Sequence, residues 1–188
     1  MENILKRAEG YRRQCMIIGK SHYLAAEYAG KMHNKLGVPI VVISAIVGTA
    51  IFSTLTKDPN IYWKIGTGIV SVMVSVLAAL QTFFNFSQKS ENHKKAGSLY
   101  SQHRRKIDMF GIRYRSLDDI DKKKAIQELE EISNQLSQLS SETPTFDVHF
   151  MHAAIKELKK SGDLTRQRIA YLDDDLNTNK VDYPIILK

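Results

Sequence analysis

The chain has 188 residues, a quarter of them charged, with a formal net charge of +7 and one cysteine. A lone cysteine excludes an intrachain disulfide and fits a reducing compartment. The basic balance raises nucleic acid as a partner, but lysines and arginines crowding the cytoplasmic flanks of membrane helices account for it more simply.

Residues 1–35 contain no apolar core of secretory type, so no cleavable signal peptide is expected and the first apolar span must direct insertion itself. Ile4, Ala8, Tyr11, Cys15, Ile18, His22, Ala25, Ala29, Met32 and Leu36 follow one another at alternating steps of four and three. This heptad seam predicts one long N-terminal cytoplasmic helix running into the first span. Gly37 and Pro39 stand where it meets the membrane. Pro39 removes a hydrogen bond to the Lys35 carbonyl, so a kink or hinge is expected there.

Two tracts without a charged side chain follow, Leu36–Thr56 and Ile65–Gln88, of 21 and 24 residues. At about 1.5 Å of rise per residue, each crosses a hydrocarbon core of about 30 Å as a helix. Residues 36–88 read as an antiparallel transmembrane hairpin with a connector at 57–64. Nine lysines and arginines lie near the outer ends of the two spans and two lie in the connector. Both termini are therefore expected in the cytoplasm, at the inner (plasma) membrane. Tyr62 and Trp63 sit where an interfacial aromatic anchor belongs.

Inside the spans, Thr67, Ser71, Ser75, Ala78, Thr82 and Asn85 recur at helical spacing, with Gln81 alongside. Ser44, Gly48 and Phe52 share a stripe of the first span, and Ala45 and Thr49 another. Small and hydroxyl-bearing residues let membrane helices approach and bond, so packing within the hairpin is one reading. A polar line facing water in an oligomeric pore is the other. Gln81 and Asn85 are too polar to leave together in lipid, and at least one should face protein or water.

A second seam, Ala96, Tyr100, His103, Ile107, Phe110 and Tyr114, follows the hairpin, and residues 89–162 read as further cytoplasmic helices. The two seams are expected to pack antiparallel, bringing His22 within about a turn of His103. A paired-histidine pH or metal switch is one reading of that meeting. Two hydrogen-bonded, half-buried imidazoles in a seam is the plainer one. Ser116–Asp119 marks a break. Ile126, Leu129, Ile132, Leu136 and Leu139 form a third stripe ended by Pro144, and a shorter helix spans Val148–Lys160 before Gly162. The tail, 163–188, has no periodicity, although Tyr183–Leu187 is apolar enough to dock.

Chemistry is sparse. There is no phosphate-cradling glycine loop, no zinc spacing and no nucleophile elbow. His149 and His152 beside Asp147 lack a third ligand, and the acids at 173–175 read as a solvated run. Neither an enzyme nor a cofactor or metal is expected. The fold expected is all-α, a two-span hairpin extended into a cytoplasmic helical bundle or coiled coil.

Gly37-Val38-Pro39-Ile40-Val41-Val42-Ile43-Ser44-Ala45-Ile46-Val47-Gly48-Thr49 resembles the first span of the SLATT family, the SMODS and SLOG-associating two-transmembrane effectors. Leu77-Ala78-Ala79-Leu80-Gln81-Thr82-Phe83-Phe84-Asn85-Phe86 resembles the second, and Glu91, His93, Ala96 and Tyr100 fit the cytoplasmic continuation. The resemblance spans roughly residues 15–160. It implies a homo-oligomeric, pore-forming or bilayer-perturbing effector of antiviral defence that causes abortive infection, by cell death or arrest. A separate sensor or nucleotide-signal enzyme would trigger it. A non-conducting, membrane-anchored scaffold that recruits cytoplasmic partners is the alternative.

Overall fold

A computed structural model describes residues 2–56, 60–115 and 122–163, with the side chains of residues 52–56 and 115 outside that description. The described residues form five α-helices and no strand: α1 (Glu2–Thr56), α2 (Ile61–Phe84), α3 (Phe86–Arg115), α4 (Lys122–Glu142) and α5 (Val148–Lys160). The all-α expectation holds. Two compact units divide the chain, a bundle of residues 1–26 with 91–188 and a hairpin of residues 27–90.

In the bundle, α1 is surrounded. Ala8, Cys15 and Ile18 join Tyr100, Ile107, Phe110 and Tyr114 of α3 and Ala125, Leu129, Ile132, Leu136 and Leu139 of α4 in one core. Met16 and Ile17 pack against Met151, Ile155 and Leu158 of α5 in a second. Five consecutive residues, Cys15 to Gly19, are consequently buried, where a single heptad seam accounts for only two. The α4 stripe begins at Ala125 rather than the expected Ile126, which is exposed. Steps of four and three through Leu129 point back to Ala125, so the larger apolar side chain falls off the seam. The backbones of α1 and α3 come close. A Cβ on Gly97 would sit 3.1 Å from the Gly19 carbonyl oxygen, and one on Gly19 would sit 3.3 Å from the Tyr100 Cβ. Lys20 Nζ to Glu157 Oε2 at 2.7 Å ties α5 to α1, and Arg113 holds Glu128 of α4 at 2.9 Å.

In the hairpin, α1 is helical through Pro39 to Thr56. The Asn60 side chain accepts from the Tyr62 N–H, so α2 starts at Ile61. Tyr62, Trp63 and Lys64 therefore stand in its first turn rather than in the connector expected at 57–64; residues 57–59 lie outside the described residues. The second boundary also moves. Asn85 takes a left-handed backbone (φ 44°) and ends α2 inside the uncharged tract, three residues before Gln88. Asparagine tolerates that conformation better than other side chains. Its Oδ1 also accepts from the Gln88 N–H at 3.4 Å, so one residue closes α2 and caps the start of α3. α5 has the expected bounds, capped by Asp147 through the His149 N–H at 2.8 Å, and Gly162 takes φ 75° just beyond it. The expected break at Ser116–Asp119 and the 164–188 part of the tail lie outside the described residues.

Candidate functional site

The uncharged tracts are not buried in the chain's own core. Their apolar side chains, Val41, Ile46, Ile69, Val72 and Phe83 (81 % exposed) among them, stand open over the hairpin surface. A water-soluble chain rarely leaves so large an apolar area uncovered. Two helices long and apolar enough to span a bilayer, whose most apolar windows are 11 % and 0 % buried, make this surface lipid-facing.

The facing seam of the hairpin is narrow. On α1 the covered positions are Leu36, Gly37, Ile40, Ile43, Val47 and Ala50; on α2 they are Thr67, Ser71, Val74, Ala78 and Gln81. Gly37 apart, these follow steps of four and three on both helices, which marks knobs-into-holes packing. Gln81 turns its amide onto Gly37, where an added Cβ would sit 2.8 Å from Nε2. Gln81 therefore faces protein, as one of the two amide residues had to. Gly37 is where it fits.

The remaining polar residues leave the seam. Ser44, Gly48, Ser75 and Thr82 are exposed, and nothing lies within 4 Å of a Cβ built on Gly48. Each residue advances about 100° around a helix. In antiparallel neighbours this rotates Ser44 and Gly48 on α1, and Ser75 and Thr82 on α2, out of the seam toward the same flank. The expected α2 stripe thus divides: Thr67, Ser71 and Gln81 go into the hairpin, and Ser75 and Thr82 onto the flank. Asn85 is exposed at the helix break, and Pro39 is exposed on α1. The hydroxyls of Thr49, Thr67, Ser75 and Thr82 donate to the carbonyls of Ala45, Trp63, Ser71 and Ala78, at 2.7–3.0 Å.

In the bundle, His22 is 1 % exposed, and its partner differs from the expected His103. Its Nδ1 lies 3.0 Å from Nδ1 of His93, while His103 Nδ1 bonds the Leu99 carbonyl of its own helix. The α3 seam extends one step of three back from Ala96, to His93, and the antiparallel register brings that step opposite His22. Counting from a connector at 57–64 misses it, because α2 starts at Ile61. His22 also stacks on Tyr100 (5.6 Å, 19°) and meets Phe146 edge-on (4.8 Å, 79°). Burial, and then the neighbouring His93, push the His22 pKa down to about 4; burial pushes His93 down as well. Among the described residues no three His, Cys, Asp or Glu side chains gather as a metal site.

A two-span, all-α membrane protein with a separate helical bundle is the class these features define. The SMODS and SLOG-associating 2TM effector domain family 4 matches residues 12–168, and the chain belongs to that family. No curated protein and no solved structure gives a match. Family membership makes the chain a two-transmembrane effector domain of the kind linked to conflict systems.

Proposed function

We propose that the protein is an oligomeric effector of a prokaryotic conflict system that permeabilises or perturbs the inner membrane when triggered, killing or arresting the cell. Both termini lie in the cytoplasm, and a separate sensor or nucleotide-signal enzyme supplies the trigger. One observation carries the reading: Ser44, Gly48, Ser75 and Thr82 share a flank that the hairpin seam leaves open on an otherwise apolar surface. Two helices cannot enclose water, so a path lined by this flank requires several copies. Gly48 offers the close approach such copies need. A trigger acting on the bundle would shift α1 about Gly37–Pro39. It must bind the open state better than the closed one, because equal affinity for both moves nothing.

Replacing Gly48 and Ser75 with Leu fills the flank without altering the seam. The expected result is loss of oligomers by mass in detergent and loss of toxicity, with membrane insertion retained. Toxicity unchanged in the double variant would remove the flank from the mechanism.

The back-bonded hydroxyls favour a second reading. A serine or threonine that donates to its own helix loses little by facing lipid, which suits a non-conducting scaffold. Dye release from liposomes separates the two: a scaffold leaks nothing under any trigger.

A further inference from the structure

The histidine pair is a built feature that the membrane reading does not use. His22 lies within the bundle, between the Tyr100 ring and the Phe146 edge, and its one imidazole partner is His93 at 3.0 Å. The gap beside it, lined by Ile18, Thr143 and Phe146 among others, is about 20 Å³, room for one water. Phe146 belongs to the short segment joining α4 to α5, so that segment closes over the pair.

A Nδ1–Nδ1 contact of this length holds one hydrogen between the rings, with one donor and one acceptor. A first added proton goes to the outer nitrogen of the donor ring and leaves that hydrogen bond in place. A second puts N–H against N–H, and the contact cannot survive. Several charged groups on the surrounding elements are engaged with other partners. On α1, Lys20 pairs with Glu157 of α5. On α3, Glu91 pairs with Lys95, and Tyr100 presents its ring face. On the covering side, Glu142 accepts from Gln138 and Asp147 caps α5. The backbones of α1 and α3 meet at Gly19 and Gly97, so the joining segment, which touches them through Phe146 on His22 and a Thr143–Tyr100 side-chain hydrogen bond, is the part left to yield.

We propose that the His22–His93 pair is an acid-released latch, which when neutral holds the α4–α5 segment at Thr143–Asp147 closed over α1 and α3 and when protonated lets it lift. The latch stands independently of pore formation, because its readout lies in the bundle.

The direction follows from linkage. Both histidines are lowered in the closed form, so the closed form is fully favoured above the ordinary histidine pKa and loses its advantage as pH falls toward about 4. With an open-state pKa near 6.5, His22 alone raises the opening constant about tenfold between pH 7.5 and 5.5, and the lowering of His93 acts in the same direction.

Amide hydrogen exchange on the full chain in nanodiscs tests this, reading residues 140–150 after correction for intrinsic rates. The wild type should open at least about tenfold more at pH 5.5, and the His22→Gln/His93→Gln double variant should not change with pH. An equal rise in the variant, or none in the wild type, overturns the latch. Should the variant not fold, an imidazole NMR titration of the wild type decides: both rings titrating like a histidine peptide overturns it, whereas depressed titration with the 143–147 signals moving in step supports it. Stoichiometric zinc binding at neutral pH, lost on His22→Gln, would overturn it in favour of a metal site.

Discussion

Asn85 carries a specific backbone requirement, a positive φ between two helices, and it caps on both sides. Asn85→Gly should leave the thermal midpoint in detergent nearly unchanged. Asn85→Ala should lower it, reflecting a loss of about 1–2 kcal/mol for an alanine forced left-handed. The amide of Gln81 belongs to the same scale: its polarity predicts that it avoids lipid, yet its place against Gly37 depends on which α1 residue lacks a side chain at that level. His93 shows the limit of such reasoning. Its spacing from Ala96 was readable, but the register that sets it opposite His22 depends on where α2 begins, and the Asn60 cap decides that.

At the scale of elements, α1 does the most. One heptad seam was legible because apolar residues at three-four spacing mark a buried face. The second face, Met16 and Ile17, carries no such repeat; it is buried because α5 comes to lie there, held by Lys20–Glu157. The closeness of α1 and α3 gives a paired prediction. Gly97→Val drives a side chain into the Gly19 carbonyl and the Tyr23 ring, each 3.1 Å from the Cβ position, and should cost about 1–3 kcal/mol of bundle stability. Gly10 has nothing within 4 Å, so Gly10→Ala should add up to about 1 kcal/mol through helix propensity. Denaturant titration followed by circular dichroism reads both, with midpoints moving in opposite directions.

At the scale of the molecule, the question is which way the hairpin crosses. From the charge counts we propose that the α1–α2 connection lies outside. A thiol at Asn60→Cys should react with an impermeant maleimide added to intact cells or right-side-out vesicles. The native thiol gives little background, because burial pushes Cys15 up to about 12 and leaves it protonated. Labelling only after lysis would reverse the topology.

Charge-free length, seam spacing and flanking lysines are local properties of a chain, since water and lipid act on each segment separately. They sufficed for the all-α class, the two spans and the bounds of α5. Tertiary packing alone decided which serines face the partner helix, which histidine meets His22, and that α1 buries two faces, because each depends on the register and rotation of a second helix that spacing along one helix does not contain.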